Sequence, residues 1–221
     1  MTRSEERREA NTHFIKVKSH ITPPELACGC IEPLHFALNE AADFFAEEAA
    51  KEREPVESYE VVGSVARLAQ ASHFGTDGSG GKYSSMPRLR ACGAGIATVK
   101  AVGNVFEVED GIIAGVGGNQ TVPRSGLTAI VILLSLVGSQ HITIIVDAIY
   151  IFKGLEKGKR KSINGSNGDL WGRFWEALEA RGGPGQHPLH KSEVPHYSPR
   201  ASLWLHRALT LRPQRSRRLL R

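Results

Sequence analysis

Apolar and polar positions along this chain change period several times, and each change marks a candidate element. His13 to His20, HFIKVKSH, alternates through Phe14, Ile15 and Val17 and predicts a short strand. Ile21 to Leu38 carries Pro23, Pro24, Gly29 and Pro33 and reads as mostly loop. Asn39 to Lys51 is rich in helix formers, which predicts a helix with Asn39 as N-cap and Asp43 in its first turn. Residues 52–71 read as a charged linker with one helical turn in VARLAQA. From Ser72 three strands are expected, in HFGTDGSGG, CGAGIATVK and NVFEVEDGIIAGV. Pro123 then opens an amphipathic helix with Leu127, Ile130, Val131, Leu134 and Val137 on one face. His141 to Val146, HITIIV, is a nearly continuous apolar run. It predicts a strand buried on both faces and ending at Asp147. A short helix-compatible run, IYIFKGL, and a turn at Gly165–Gly168 follow. Asp169 to Ala180 predicts a helix whose Trp171, Phe174, Trp175 and Leu178 stripe reads as core, and GGPG stops it.

Composition narrows the class. With 41% hydrophobic and 23% charged residues among 221, the chain can bury a core, which excludes wholesale disorder. The most apolar stretch, Leu127 to Val137, is too short to cross a bilayer. The first residues, MTRSEERREA, lack the apolar stretch of a signal peptide and are expected to fray. Three sparse cysteines, Cys28, Cys30 and Cys92, argue against a disulfide framework. Together these features predict an intracellular protein with no membrane partner. The net charge of +5 belongs to the C-terminal stretch: residues 185–221 hold eight Lys or Arg and one acid, whereas the rest of the chain is net −2. Taken alone, such a tail suggests nucleic acid.

The chemistry lies in carboxylates at element ends. Asp77 ends the first strand after Ser72, Asp147 ends the buried strand, and Asp43 belongs to the helix near Asn39. Each alone has an ordinary explanation, in turn chemistry or in the helix dipole. Gathered together, they are hard oxygen ligands of the kind magnesium takes. Two such ions can activate a water and stabilise the leaving oxygen of a phosphodiester.

They belong to linked motifs. Thr76-Asp77-Gly78-Ser79-Gly80 resembles the first-strand motif of type 1 ribonuclease H, and the likeness continues through VPRSGLTAI from Val122, IIVDAIYIFKGL with Asp147, and NGDLW with Asp169 to Trp171. Val17-Lys18-Ser19-His20 is similar to the family's last-strand motif, and Asn39-Glu40-Ala41-Ala42-Asp43 to the start of its last helix. The resemblance implies an α/β fold, a mixed sheet of about five strands flanked by helices, in circularly permuted order. Residues 1–9 precede it, 10–51 supply the family's last strand and helix, 52–71 link, 72–184 supply its head, and 185–221 trail behind. It also implies an endoribonuclease acting on RNA in RNA–DNA hybrids, with two magnesium ions bound by Asp77, Asp147 and Asp43. His20 would assist product release, and no small-molecule cofactor is expected. The family places a catalytic glutamate two residues after the position of Arg124, where this chain has Gly126. Losing one carboxylate that opposes two dications predicts weak or absent hydrolysis. The alternatives are a catalytically dead hybrid-binding module and a degenerate retroelement-like product without a selected role.

The tail has an origin that the genetic code exposes. If the DNA for residues 9–46 is repeated and read so that each codon joins the third base of one original codon to the first two of the next, synonymous choices reproduce every residue from Gly185 to Arg221. Lys18-Ser19-His20-Ile21 then gives Val194-Pro195-His196, and Ala27 through Ile31 gives Leu203-Trp204-Leu205-His206. All 37 positions agree at a constant offset of 176 residues, and the next codon can be a stop. The gene therefore reads as tandem copies of one unit, with the second copy's tail out of frame. His187, His190, His196, Trp204, His206 and the arginine run are then expected to be a structureless by-product.

Geometry allows the permuted halves to meet, because a linker of about 20 residues can reach roughly 65 Å. The HFIKVKSH strand is expected at the edge of the sheet, beyond the buried strand. Two weaker signals remain. His20, Cys28, Cys30 and His35 make a zinc set without the paired CxxC pattern. Lys100, Lys153, Lys157, Lys159, Arg160 and Lys161 are candidate phosphate contacts, the last four equally a solvated turn.

Overall fold

The computed structural model describes residues 12–18, 28–29, 31–51, 58–183 and 215–219, the last as backbone only. In chain order the elements are β1 (Thr12–Lys16), α1 (Pro33–Lys51), β2 (Ser58–Val62), α2 (Val65–Leu68), β3 (His73–Ser79) and β4 (Gly93–Val102). Then come β5 (Val105–Gly115), α3 (Val122–Leu136), β6 (Ile142–Val146), α4 (Ile149–Ile163), α5 (Gly168–Ala180) and β7 (Arg215–Leu219). They form a mixed α/β fold around one sheet, ordered β1-β6-β3-β4-β5-β2-β7. The pairs β1–β6 and β6–β3 are parallel, and all the others are antiparallel. Among the described residues, no helix is long and apolar enough to cross a membrane.

The sheet is wider than the five strands read from the sequence. Within the presumed linker, SYEVV forms β2, with Tyr59 and Val61 buried in the main core. It covers the edge that β5 would otherwise leave open. Its outer edge pairs with β7, so the expectation of a structureless tail fails at Arg215–Leu219. The helical turn expected in the linker is α2. It is pinned by Asp110, which is fully buried and accepts from the Ser64 amide at 2.5 Å and from Arg67 Nη2 at 2.7 Å.

Helix α1 starts earlier than its alternating composition suggests. Pro33 occupies the first turn, where a missing amide costs nothing, and Leu34, Ala37 and Leu38 extend the apolar face. Asn39 is therefore a buried interior residue and not an N-cap. Its carboxamide oxygen has no hydrogen-bond partner among the described residues. Asp43 lies in the third turn, not the first. Helix α4 is also longer than IYIFKGL and carries Lys153 to Lys161 as helix, bent at Gly158 (φ 76°). The stripe on α5 is core, as expected: Trp171, Phe174, Trp175 and Leu178 are all buried.

The helices cover both faces. On one side α1 lies against glycines: a Cβ on Gly75, Gly93 or Gly95 would come within 1.9, 2.2 and 2.1 Å of the backbone of Leu38, Ala46 and Ala42. The sheet is bare there because a helix backbone needs the space. On the other side α3 packs its buried Leu127, Ile130 and Leu134 into the main core with Phe74 and Ile96. The N-terminal block thus docks onto the rest of the chain. β1 lies at the edge beyond β6, where the sequence puts it, with Phe14 beside Ile144.

One side chain ties the two pieces together. Arg181, just after α5, is buried and donates to Thr12 Oγ1 on β1 at 3.0 Å. It also donates to the carbonyls of Val137 at 3.1 Å and Gln140 at 2.6 Å, and to that of Gly138. Burial lowers its pKa. Removing it leaves several buried acceptors unpaired. Arg181→Ala is expected to cost about 3 kcal/mol, read as a lower urea midpoint with an unchanged slope.

Candidate functional site

The site follows from register. β3 and β6 run parallel, with Thr76 opposite Val146. The next residue on each chain is an aspartate, so Asp77 and Asp147 stand side by side at the same end of the sheet. Asp77 also pairs with Gly95 on β4. Gly95 is a point where the α1 backbone closes on the sheet, through Ala42 O and Ala46 N. That contact sets Asp43, the residue after Ala42, against Asp77. Three aspartates from a strand, a strand end and a helix far apart in sequence therefore meet.

Electrostatics confirm the proximity. The Asp77 carboxyl is pushed up to about 8, first by burial and then by the charge of Asp147, with Asp43 adding both charge and a shared side-chain hydrogen bond. The Gly78 amide, donating to Asp77 Oδ1 at 2.6 Å, opposes the rise without overcoming it. A hydrogen bond between two carboxyl groups needs a proton on one of them. Among the described residues no group of three or more His, Cys, Asp or Glu is spaced to hold a metal ion as it stands. The donor set is nonetheless all oxygen and short of positive charge, which fits a hard dication.

Gly126 borders the same end. It sits in α3, whose N-cap is Thr121 and whose first turn carries no acid. A Cβ on Gly78, next to Asp77, would meet the Gly126 amide nitrogen at 2.3 Å. A Cβ on Gly126 would meet nothing nearer than the Ala148 Cβ, at 4.0 Å, and Ala148 follows Asp147. Nearby, Arg124 is held by Asp169 through Nη1–Oδ1 at 2.9 Å and Nη2–Oδ2 at 2.6 Å. Arg124 is the main reason the Asp169 carboxyl lies below its ordinary range.

Other sequence candidates fall elsewhere. His20 and Cys30 lie outside the described residues. His35 is on α1, 3.3 Å from Glu32, and burial lowers its pKa, with His73 contributing. Cys28 is disulfide-bonded, which departs from the reading of its cysteine as reduced, and Cys92 is a buried free thiol. Lys100 is on β4, and Lys159 on α4 pairs with Glu179 at 2.7 Å. Two acids of β5 are engaged elsewhere: Asp110 is locked to Arg67, and Glu109 lies 4.0 Å from the same guanidinium. Sequence reasoning missed Asn39 as a buried polar group one turn before Asp43; its i, i+4 spacing to Asp43 is the signal that pointed there. Comparison with family models, with curated proteins and with solved structures finds no match to this chain.

Proposed function

We propose that this chain is a ribonuclease H-type module in circularly permuted order. It takes RNA–DNA hybrids at the carboxylate end of its sheet and hydrolyses the RNA strand weakly or not at all. The meeting of Asp43 with Asp77 and Asp147 carries this reading, because no local turn or cap requirement brings those three together. The contact between Arg181 and Thr12 supports the permutation: the end of the presumed head lies beside the start of the presumed tail.

Asp77, Asp147 and Asp43 would hold magnesium. When bound, the metal would activate a water and stabilise the leaving oxygen as a P–O bond of the RNA strand breaks, leaving one phosphate and one hydroxyl end. The chain's own part is to release the proton that burial and its neighbours keep on Asp77 and to hold the three carboxylates on fixed elements. His20 keeps the product-release role that the resemblance assigns to it. Gly126, with no side chain at the position of the family's glutamate, favours a second reading: hybrid binding without cleavage.

Gly126→Glu tests both. A Cβ at this position meets nothing nearer than the Ala148 Cβ at 4.0 Å, and the variant is expected to raise magnesium-dependent cleavage of a labelled hybrid at least about a hundredfold, equivalent to about 2.7 kcal/mol of transition-state stabilisation. Adding Asp77→Asn should abolish the gain. Hybrid binding without cleavage in Gly126→Glu selects the binding module. Neither binding nor cleavage removes the nucleic-acid reading altogether.

A further inference from the structure

The connection between β3 and β4 does more than join two strands. β3 ends at Ser79, two residues after Asp77, and the loop that follows passes both helices that flank this end of the sheet. A Cβ on Gly81 would lie 3.1 Å from the Ala50 Cβ on α1, and one on Gly80 would lie 3.0 Å from Val122 Cγ2 on α3. Two braces hold its shape. Arg90 Nε donates to the Ser84 carbonyl at 2.7 Å, and the Cys92 amide donates to Gln120 Oε1 at 2.8 Å. Between them the Leu89 amide donates to the Met86 carbonyl at 2.9 Å, closing a turn with Pro87 in second position.

That turn sets Met86 beside Leu89, with Arg88 at the tip. Met86 is 53% exposed and Leu89 54%, and neither belongs to a core cluster. Arg88 is exposed as well, as is Lys82 earlier in the loop. No acid answers these cations from their own stretch of chain: there is no Asp or Glu from Gly78 to Phe106, nor in the neighbouring run from Gly111 to Val146. A surface of cations and bare apolar side chains complements a polyanion that also shows apolar faces. A duplex offers phosphates but stacks its base faces out of reach, whereas an unpaired strand offers both.

We propose that this loop holds a single-stranded stretch of nucleic acid running off the end of a hybrid, with Met86 and Leu89 against unpaired bases and Arg88 and Lys82 on phosphates. The proposal rests on the nucleic-acid reading of the aspartates. It makes hybrids with a protruding strand the preferred ligands over blunt ones.

The test measures binding to the full chain by fluorescence anisotropy, with metal chelated so that nothing is cleaved. The probes are a short blunt RNA–DNA hybrid, the same hybrid with about six unpaired nucleotides on either strand at either end, and the single strands alone. At least one extended hybrid is expected to bind about tenfold more tightly than the blunt one, equivalent to about 1.4 kcal/mol. Met86→Ser with Leu89→Ser should remove that gain and leave blunt binding unchanged. Arg88→Gln should lower the salt slope of the extended hybrid by about 0.7, the value for one phosphate contact on a single strand. Equal affinities for blunt and extended hybrids overturn the proposal and leave the ribonuclease H-type reading standing. A gain that survives in both variants overturns it too, as does self-association of the chain that the serine variant abolishes while extensions give no gain. Single strands bound through this loop with no binding of the blunt hybrid do the reverse, sustaining the loop and sinking the ribonuclease H-type reading.

Discussion

Gly95→Val is expected to lower the stability of the protein by about 3–5 kcal/mol and to detach the N-terminal helix from the sheet. The new Cβ would lie 2.1 Å from Ala42 O, 2.5 Å from Ala46 N and 3.0 Å from the Phe45 carbonyl carbon. All three are backbone atoms, so no rotamer change relieves the clash. Gly95 cannot retreat, because β4 is held by β3 on one side and β5 on the other. Helix α1 must therefore lift, exposing Ala42, Phe45, Ala46 and Ala49, and carrying Asp43 away from Asp77. Chemical denaturation gives the size of the loss. Gly172→Ala supplies the contrast: nothing lies within 4 Å of its Cβ, and α5 should gain about 0.5–1 kcal/mol from better helix propensity. Equal midpoints for Gly95→Val and the parent chain would mean that α1 does not sit on this face.

The docking that this substitution attacks was only partly legible in the sequence. The period of several elements was readable: the i, i+3, i+4 stripe of α3 and the apolar run of β6 appear where they were expected, and the alternation of HFIKVKSH gives a strand that starts at Thr12 and stops at Lys16, short of the span expected. Such patterns work where one face of an element meets one kind of neighbour. β2 was missed because its alternation is brief and sits among charges, and because pairing with β5 decides its conformation more than its own propensity does. The start of α1 was missed because the prolines before it suggested loop, whereas Pro33 is compatible with a first turn. β7 was not read from the sequence, since RSRRL carries no alternation of its own and its conformation comes from the edge that β2 offers.

The site was more legible than its surroundings. Asp147 follows the end of β6, while Asp77 lies two residues inside β3 and not at its end as the sequence suggested; parallel pairing of Thr76 with Val146 brings the two together. Asp43 needed the tertiary fact that a glycine-lined face admits α1, which the glycines of GAG at residues 93–95 signal only once a helix is known to approach. The position of Gly126 was readable in its motif, but its clearance was not: a helix glycine is usually explained by crowding or backbone strain, and here a Cβ would have only the Ala148 Cβ near it, at 4.0 Å.

The proton shared within the carboxylate group gives the molecule a stability that falls with alkali. Asp77 titrates at about 8 in the folded chain and near 4 when unfolded. Between those values the folded state holds a proton that the unfolded state has lost, so unfolding becomes easier as pH rises through that window. The loss begins near pH 4 and is complete above about pH 8. A tenfold change in proton affinity is worth about 1.4 kcal/mol, which caps the effect at about 5–6 kcal/mol; relaxation around a group at a sheet end should reduce it to about 3 kcal/mol. Urea denaturation at pH 5 and pH 9 measures this directly. Asp77→Asn removes the titration and should be the more stable protein at pH 9 by a similar amount, with little change at pH 5. Magnesium should act in the same direction on the parent chain at pH 9, because binding to the ionised carboxylates stabilises only the folded state. It should do little for Asp77→Asn, and chelation should reverse it. A parent chain equally stable at both pH values would show that Asp77 is not held buried beside Asp147 and Asp43, and the candidate site would fall with it.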